Sequence, residues 1–325
     1  MAQAELPVSH PQLLQYPTSA QSWSDTATRK VCAKNYIHRG SGPIEAIATG
    51  GNLPVNMPTY RNQRCFCLHN SLQMHYVQHA FFNFTNKPSF AAFNKVFAIK
   101  HALQAVPMDS WVLWLDQDVF FVNMKSTLRD AIADAVRVRR AMSPCHLVLG
   151  AALNNGVMLL RKSCWTMRFL DLWFALRDEC VRYPLYDQGP MLRAAMAGMA
   201  LDLDGGNNSA TITLETLREM QIPGCRSPIR SPSSFTALAR AFMNNHSKTS
   251  SVCLSTHPDF SQEPGMKNPN QLFAHLAGRA KHKSVLECYE AYMRAWPESR
   301  SALVESCATD GPLDLPCSRK LRGAG

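Results

Sequence analysis

The sequence predicts an α/β fold built around a central sheet. Three observations lead there. Short apolar runs of strand length recur at 44–49, 111–115, 146–152 and 157–161. Segments with apolar residues at helical spacing lie between and after them. Alternation of the two is the pattern of strands covered by helices. The length of 325 residues suits one large domain or two small ones. With 46% hydrophobic and 18% charged residues, the composition is that of a folded chain.

Taken in order, residues 1–43 are rich in Pro, Ser, Thr and Gln and read as a loosely ordered lead-in. IEAIAT (44–49) predicts a first strand, with Gly50 and Gly51 turning after it. Around Cys65–Leu68 and HNSLQMHYVQ, aromatic and polar residues mix, which predicts a helix and then an edge strand. In FAAFNKVFAIKHALQ (90–104), Phe93, Val96, Phe97 and Leu103 share a helical arc, with Lys95 and Lys100 off it. Pro107 stops that helix. WVLWL (111–115) is a strand of aromatic and branched residues that both faces of a sheet would bury. Ser126 to Arg140 predicts a helix capped by Ser126 or Thr127. HLVLGAA (146–152) and VMLLR (157–161) are two further strands joined by the turn NNG (154–156). Phe169, Leu172, Trp173 and Leu176 share a helical face. YPLYDQGPM (183–191) is a loop leading into the helix MLRAAMAGM. Residues 202–270 are rich in Ser, Pro, Asn and Gly, with few long periodic segments. QLFAHLAG (271–278) is apolar around one histidine, and the basic tail from Arg279 reads as helical through YEAYMRAW.

The formal net charge of +10 favours anionic partners such as nucleotide phosphates, acidic glycans or a membrane surface. Nucleic acid is not expected, because the basic residues are dispersed and only VRVRR (136–140) is clustered. The eleven cysteines are odd in number and include no zinc-ribbon pairs, so the redox compartment stays open. Three sequons stand at Asn83, Asn207 and Asn245, and they matter only in a secretory lumen. No apolar run approaches the roughly 20 residues of a membrane span. The N-terminus lacks the pattern of a signal peptide. The chain is then either soluble as written or read without an anchor.

Chemistry concentrates in four stretches. In LDQDVFF, Asp116 and Asp118 close an apolar strand, and period-two alternation would point both carboxylates to one side, with Gln117 opposite. Paired carboxylates repel, and a divalent cation such as Mn²⁺ or Mg²⁺ offsets that cost, with a diphosphate completing its shell. The same pair suits two chemistries, a nucleotide-sugar transferase or a phosphatase of the haloacid-dehalogenase type. ALDLDGG (200–206) offers a second Asp-x-Asp in Asp202 and Asp204, which also fits a plain polar turn. In LNNGVMLLR, Asn154 and Asn155 are suited to sugar hydroxyls and Gly156 to close backbone approach, although turn chemistry alone explains them. In YDQGP, Asp187 and Gln188 are suited to stabilising positive charge, or Asp187 to capping a helix. In FAHLAG, His275 is either a core histidine or a third metal ligand.

In their order, WLDQDVFF, LNNGVMLLR, YDQGP and HLAG resemble glycosyltransferase family 34, the galactosyl, xylosyl and mannosyltransferases, over about residues 60–280. The resemblance implies a GT-A type three-layer α/β/α sandwich with a mostly parallel, Rossmann-like sheet. It implies a glycosyltransferase domain at 44–285, between the lead-in and a C-terminal helix and tail at 286–325. The implied activity is metal-dependent, retaining transfer of a hexose or pentose from a nucleotide-diphosphate sugar to a glycan or glycoprotein acceptor. A UDP-sugar is favoured over a GDP-sugar as donor. By motif, Asp116 and Asp118 would bind Mn²⁺ or Mg²⁺ and the nucleotide, and His275 would complete the coordination. Lys95, Asn154, Asn155, Gly156 and Gly278 would contact the donor, and Asp187 and Gln188 would lie at the reacting carbon. The family also implies the Golgi lumen and a membrane anchor that this sequence does not display. A non-catalytic relative that binds a nucleotide or glycan remains the alternative within the same fold.

Overall fold

The computed structural model describes residues 20–32, 43–50, 58–77, 92–121, 145–150, 152–178, 187–201, 203, 214–222, 232–245, 251–255 and 273–275. Its strands are β1 (Ile44–Gly50), β2 (Gln73–Val77), β3 (Trp111–Asp116), β4 (Val119–Phe121), β5 (Leu147–Gly150), β6 (Val157–Arg161), β7 (Val252–Ser255) and β8 (Phe273–His275). Its helices are α1 (Ala20–Cys32), α2 (Pro58–His69), α3 (Asn94–Ala105), α4 (Cys164–Ala175), α5 (Gln188–Ala200), α6 (Leu214–Glu219) and α7 (Pro232–Asn245). A short 3₁₀ turn over Leu176–Asp178 extends α4.

Six strands form the central sheet in the order β2-β1-β3-β6-β5-β7. β1 runs parallel to β2 and β3, and β5 parallel to β7, while β6 is antiparallel to both β3 and β5. The sheet is therefore mixed but mostly parallel, with β6 alone reversed. The reversal follows from chain length, because the few residues between β5 and β6 allow a hairpin but no crossover helix. The predicted α/β class is observed.

The sheet has an apolar cluster on each face. Val112, Trp114, Leu147, Leu149, Met158 and Leu160 pack with α3, α4, α5 and α7. Trp111, Leu113, Leu115, Val148 and Leu159 pack instead with Cys65, Phe66 and Cys67 of α2 and with the small β4–β8 sheet. Alternate residues of β3 serve opposite faces, which is why its burial is unbroken from Trp111 to Leu115. Two layers thus enclose the sheet. On the α2 side, Phe66 stacks on Phe121 with ring centroids 3.6 Å apart.

Three expectations are corrected. The lead-in contains α1, whose Ala27 and Val31 are buried and whose Cys32 is disulfide-bonded to Cys164 at the start of α4. Lys100 is not on an outer face of α3 but fully buried. It reaches Thr28 Oγ1 at 2.8 Å and pairs with Asp171 of α4, so α1 and α4 cover the side of α3 that single-helix periodicity left open. The stretch 202–270 holds α6, α7 and the edge strand β7, with Phe235, Ala239 and Met243 on the core side of α7 at four-residue spacing. The helix predicted over 126–140, the helical tail after Arg279, Gly51, Asp202, Asp204, Asn83, Asn207 and Gly278 lie outside the described residues.

Candidate functional site

The site lies at the carboxyl end of the sheet, where open α/β folds place ligands. β3 ends at Asp116, on the same face as Trp114 two residues earlier, and that face is the one covered by α3. Lys95, in the first turn of α3, reaches the same point. Its Nζ lies 2.9 Å from Asp116 Oδ1 and 2.8 Å from Asp187 Oδ2. Trp114 Nε1 also donates to Asp116 Oδ1, at 3.0 Å, and its ring lies 5.8 Å beneath the ammonium.

Asp187 is the residue before α5. Its Oδ2 accepts a second hydrogen bond, from Asn155 Nδ2 at 2.8 Å. Trp173 of α4 donates to its backbone carbonyl at 2.8 Å. Asp187 makes no capping bond to α5, so its side chain is turned to the site rather than to the helix. Gln188 begins α5, is nearly buried, and donates to the Leu153 carbonyl at 2.9 Å. Leu153 has φ 55°, a left-handed conformation uncommon for a residue with a branched side chain, and Gln188 ties down the carbonyl of that position.

The NNG turn closes the group. Asn154 Oδ1 accepts from Gly156 N at 2.6 Å, and Gly156 O accepts from Asp116 N at 2.7 Å. Hydrogen bonds therefore connect Lys95, Trp114, Asp116, Asn154, Asn155, Gly156 and Asp187. Three motifs far apart in sequence, and the lysine of α3, meet here.

Burial opposes the charge on Lys95, yet Asp116 and Asp187 outweigh it and hold the ammonium well above the usual lysine range. Lys95 is the cation shared by two carboxylates. Each carboxylate spends one oxygen on it. Asp116 Oδ2 and Asp187 Oδ1 have no protein partner among the described residues.

Asp118 is placed differently from the strand-based expectation. β3 stops at Asp116, and Gln117 and Asp118 form the turn into β4, so strand alternation does not set their directions. Asp118 is only 6% exposed. His275 stands opposite Val119 in the β4–β8 ladder, so its backbone lies one register step from Asp118. Its side chain is outside the described residues, which contain no cluster of three or more His, Cys, Asp or Glu side chains able to hold a metal. The donor chemistry fits a hard divalent cation: the Asp118 carboxylate, Asp116 Oδ2, which has no partner among the described residues, and the histidine position that faces Val119 across the ladder.

Two residues of α2 escaped the sequence reading. Asn62 donates to Phe121 O at 2.9 Å and accepts from Phe121 N at 2.7 Å. Gln63 donates to Val119 O at 2.9 Å and to Asp116 O at 3.4 Å. Both are buried, and together they fix the backbone of the turn that carries Asp116 and Asp118. The available signal was an adjacent amide pair inside a helix that also carries RCFC.

The family model and the curated relatives agree in class. Residues 51–144 match the model of the galactosyl transferase GMA12/MNN10 family. The chain is 27% identical over 96 residues to galactomannan galactosyltransferase 1 of Cyamopsis tetragonoloba, a match covering 26% of this chain and 20% of that protein. It is 26% identical over 148 residues to a probable glycosyltransferase 6 of Oryza sativa subsp. japonica, covering 44% and 30% respectively. A solved glycosyltransferase involved in the glycosylation of the major capsid of PBCV-1 matches with a TM-score of 0.41 at 16% identity, over 78% of this chain and 100% of that one. The chain thus matches less than a third of the length of these curated relatives. The matched family segment contains Lys95, Asp116 and Asp118, whereas Asn155, Asp187 and His275 lie beyond it. The resemblance to glycosyltransferase family 34 drawn from the motifs is borne out.

Proposed function

We propose that this chain, similar to the galactosyl transferase GMA12/MNN10 family, moves a hexose or pentose from a nucleotide-diphosphate sugar to a glycan acceptor, with a divalent cation and with retention at the anomeric carbon. The observation that carries the reading is the bridge from Lys95 to both Asp116 and Asp187. It ties the carboxylate expected at the diphosphate to the carboxylate expected at the sugar, inside one hydrogen-bonded frame.

When bound, Mn²⁺ or Mg²⁺ would neutralise the leaving diphosphate as a Lewis acid. Asp118 and His275 would hold it, with Asp116 Oδ2 as the third position. Because Lys95 already compensates Asp116, Asp118 would carry the larger share of cation binding. The Asn154–Gly156 turn lines the donor sugar: Gly156 lets it approach the backbone, and Asn154 keeps its amide NH₂ for a hydroxyl after its oxygen is taken by Gly156. The reacting carbon gains positive charge as the carbon–oxygen bond to diphosphate breaks. Asp187, fixed by Lys95 and Asn155, and the Gln188 carboxamide oxygen stabilise that charge from the opposite side. The acceptor hydroxyl attacks from the face the diphosphate leaves and its proton passes to the departing phosphate oxygen, so configuration is retained.

The disulfides Cys32–Cys164 and Cys145–Cys253 favour an oxidising compartment, which agrees with the Golgi or secretory lumen of the family. No helix among the described residues is long and apolar enough to cross a membrane. The test is a thermal-shift panel of UDP- and GDP-sugars with and without Mn²⁺, since a ligand of the folded state raises its apparent stability. One donor giving a metal-dependent shift, lost in Asp118→Ala together with transfer, is the expected result. Unchanged transfer and donor hydrolysis by Asp118→Ala would overturn the reading.

A further inference from the structure

Of the three sequons, Asn245-His246-Ser247 is the one whose asparagine is described, and Asn245 is exposed at the last position of α7. We propose that Asn245 carries an N-linked glycan. The core side of α7 is set by Phe235, Ala239 and Met243, which are buried against the helical layer. At 3.6 residues per turn, Asn245 lies about 200° around the helix from Met243 and on the same outer side as Leu238, seven residues earlier. Leu238 is itself 42% exposed, so that side of the helix faces solvent. A sugar attached to Asn245 Nδ2 therefore extends outward and displaces nothing from the core.

The chemistry requires a lumen where such transfer occurs, and the cysteines supply an argument independent of any activity. Cys32 is bonded to Cys164 and Cys145 to Cys253, and Cys65 is also disulfide-bonded. Cross-links of this kind persist in the oxidising lumen of the secretory route. There the host's oligosaccharyltransferase works from a lipid-diphosphate-linked oligosaccharide. A bond forms between Asn245 Nδ2 and the first sugar carbon, the bond from that carbon to the diphosphate breaks, and one amide proton leaves. The position also spares the site already described. After Asn245 the chain enters β7 at Val252, the register partner of Leu147, at the amino end of β5 and the opposite end of the sheet from Asp116.

The experiment is secretion of the chain from a eukaryotic cell behind the host's signal sequence, followed by peptide-N-glycosidase digestion in heavy-oxygen water and peptide mass spectrometry. The expected result is heavy-oxygen Asn-to-Asp conversion at position 245 in most molecules. Asn245→Gln and Ser247→Ala should each abolish it while keeping the Cys145–Cys253 cross-link. Recovery of the position-245 peptide unmodified from secreted protein with both disulfides intact overturns the proposal. This readout does not depend on transferase activity, so it succeeds or fails separately from the function proposed above.

Discussion

Replacing Lys95 by Met keeps most of the stem and removes the charge. In the wild type the ammonium lies 2.9 Å and 2.8 Å from two carboxylate oxygens. At an effective dielectric of about 20, each contact amounts to roughly 6 kcal/mol of gross attraction. Most of that is offset by desolvation, because the Lys95 side chain is 11% exposed and those of Asp116 and Asp187 are 22% and 15%. What remains when one partner of a buried pair is deleted is about 3–5 kcal/mol, mainly the cost of carboxylates left without compensation. The sign with pH is definite. The folded value of Lys95 is raised above the ordinary lysine value of 10.5, so its contribution is fully present at neutral pH and lost only as pH rises past 10.5 through the folded value. The assay is urea unfolding of both proteins at neutral pH. The double variant Lys95→Met/Asp187→Asn should recover about 0.5–3 kcal/mol as a coupling energy, because one of the opposed charges is gone. If Lys95→Met unfolds within about 0.5 kcal/mol of wild type near neutral pH, the shared-cation account of this network is wrong.

Other perturbations test separate parts of the structure. Asn62→Ala and Gln63→Ala each strand buried backbone groups of the Asp116–Phe121 turn and should cost about 1–3 kcal/mol, and they should raise the Mn²⁺ concentration needed for half-maximal turnover more than an equally destabilising core variant does. His75 is pushed down from 6.5 to about 4, first by burial and then by His101. The unfolded chain thus binds the extra proton between these values, so stability rises as pH rises across that window, by about 3 kcal/mol; His75→Leu should flatten that slope in pH-dependent unfolding. Removing the Cys32–Cys164 bridge with a double Ser variant should lower stability by roughly 2–5 kcal/mol, and limited proteolysis should then release the α1 segment first.

Parts of the fold are legible for definite reasons. β3, β5 and β6 are buried on both faces, so they appear as unbroken apolar runs that need no partner to be recognised. α4 and α5 carry enough apolar residues to announce a face. α7 carries a readable signal as well, in Phe235, Ala239 and Met243, but the Ser, Pro and Asn around it mask that spacing. α1 has no such signal. Among its described side chains the core side is Ala27 and Val31, and what docks it is Thr28 against Lys100 and Cys32 against Cys164, partners more than 70 residues away.

The sequence by itself determined the fold class and named the groups proposed above to do chemistry: an α/β chain with Asp116 and Asp118 after a buried strand, amides at 154, 155 and 188, a carboxylate at 187 and a histidine at 275. Local patterns suffice for these, because strand burial and turn chemistry are written in neighbouring residues. Only the tertiary structure decided who meets whom. Lys95 and Lys100 turned from side chains off the helical arc into, respectively, the cation bridging Asp116 and Asp187 and a buried charge paired with Asp171. Asp118 moved from the strand to the turn held by Asn62 and Gln63. The physical reason is common to all of them. Whether a charge can be buried depends on its distance to an opposite charge, and here that distance is set by the packing of α1, α3, α4 and α5 on the sheet rather than by any spacing along the chain.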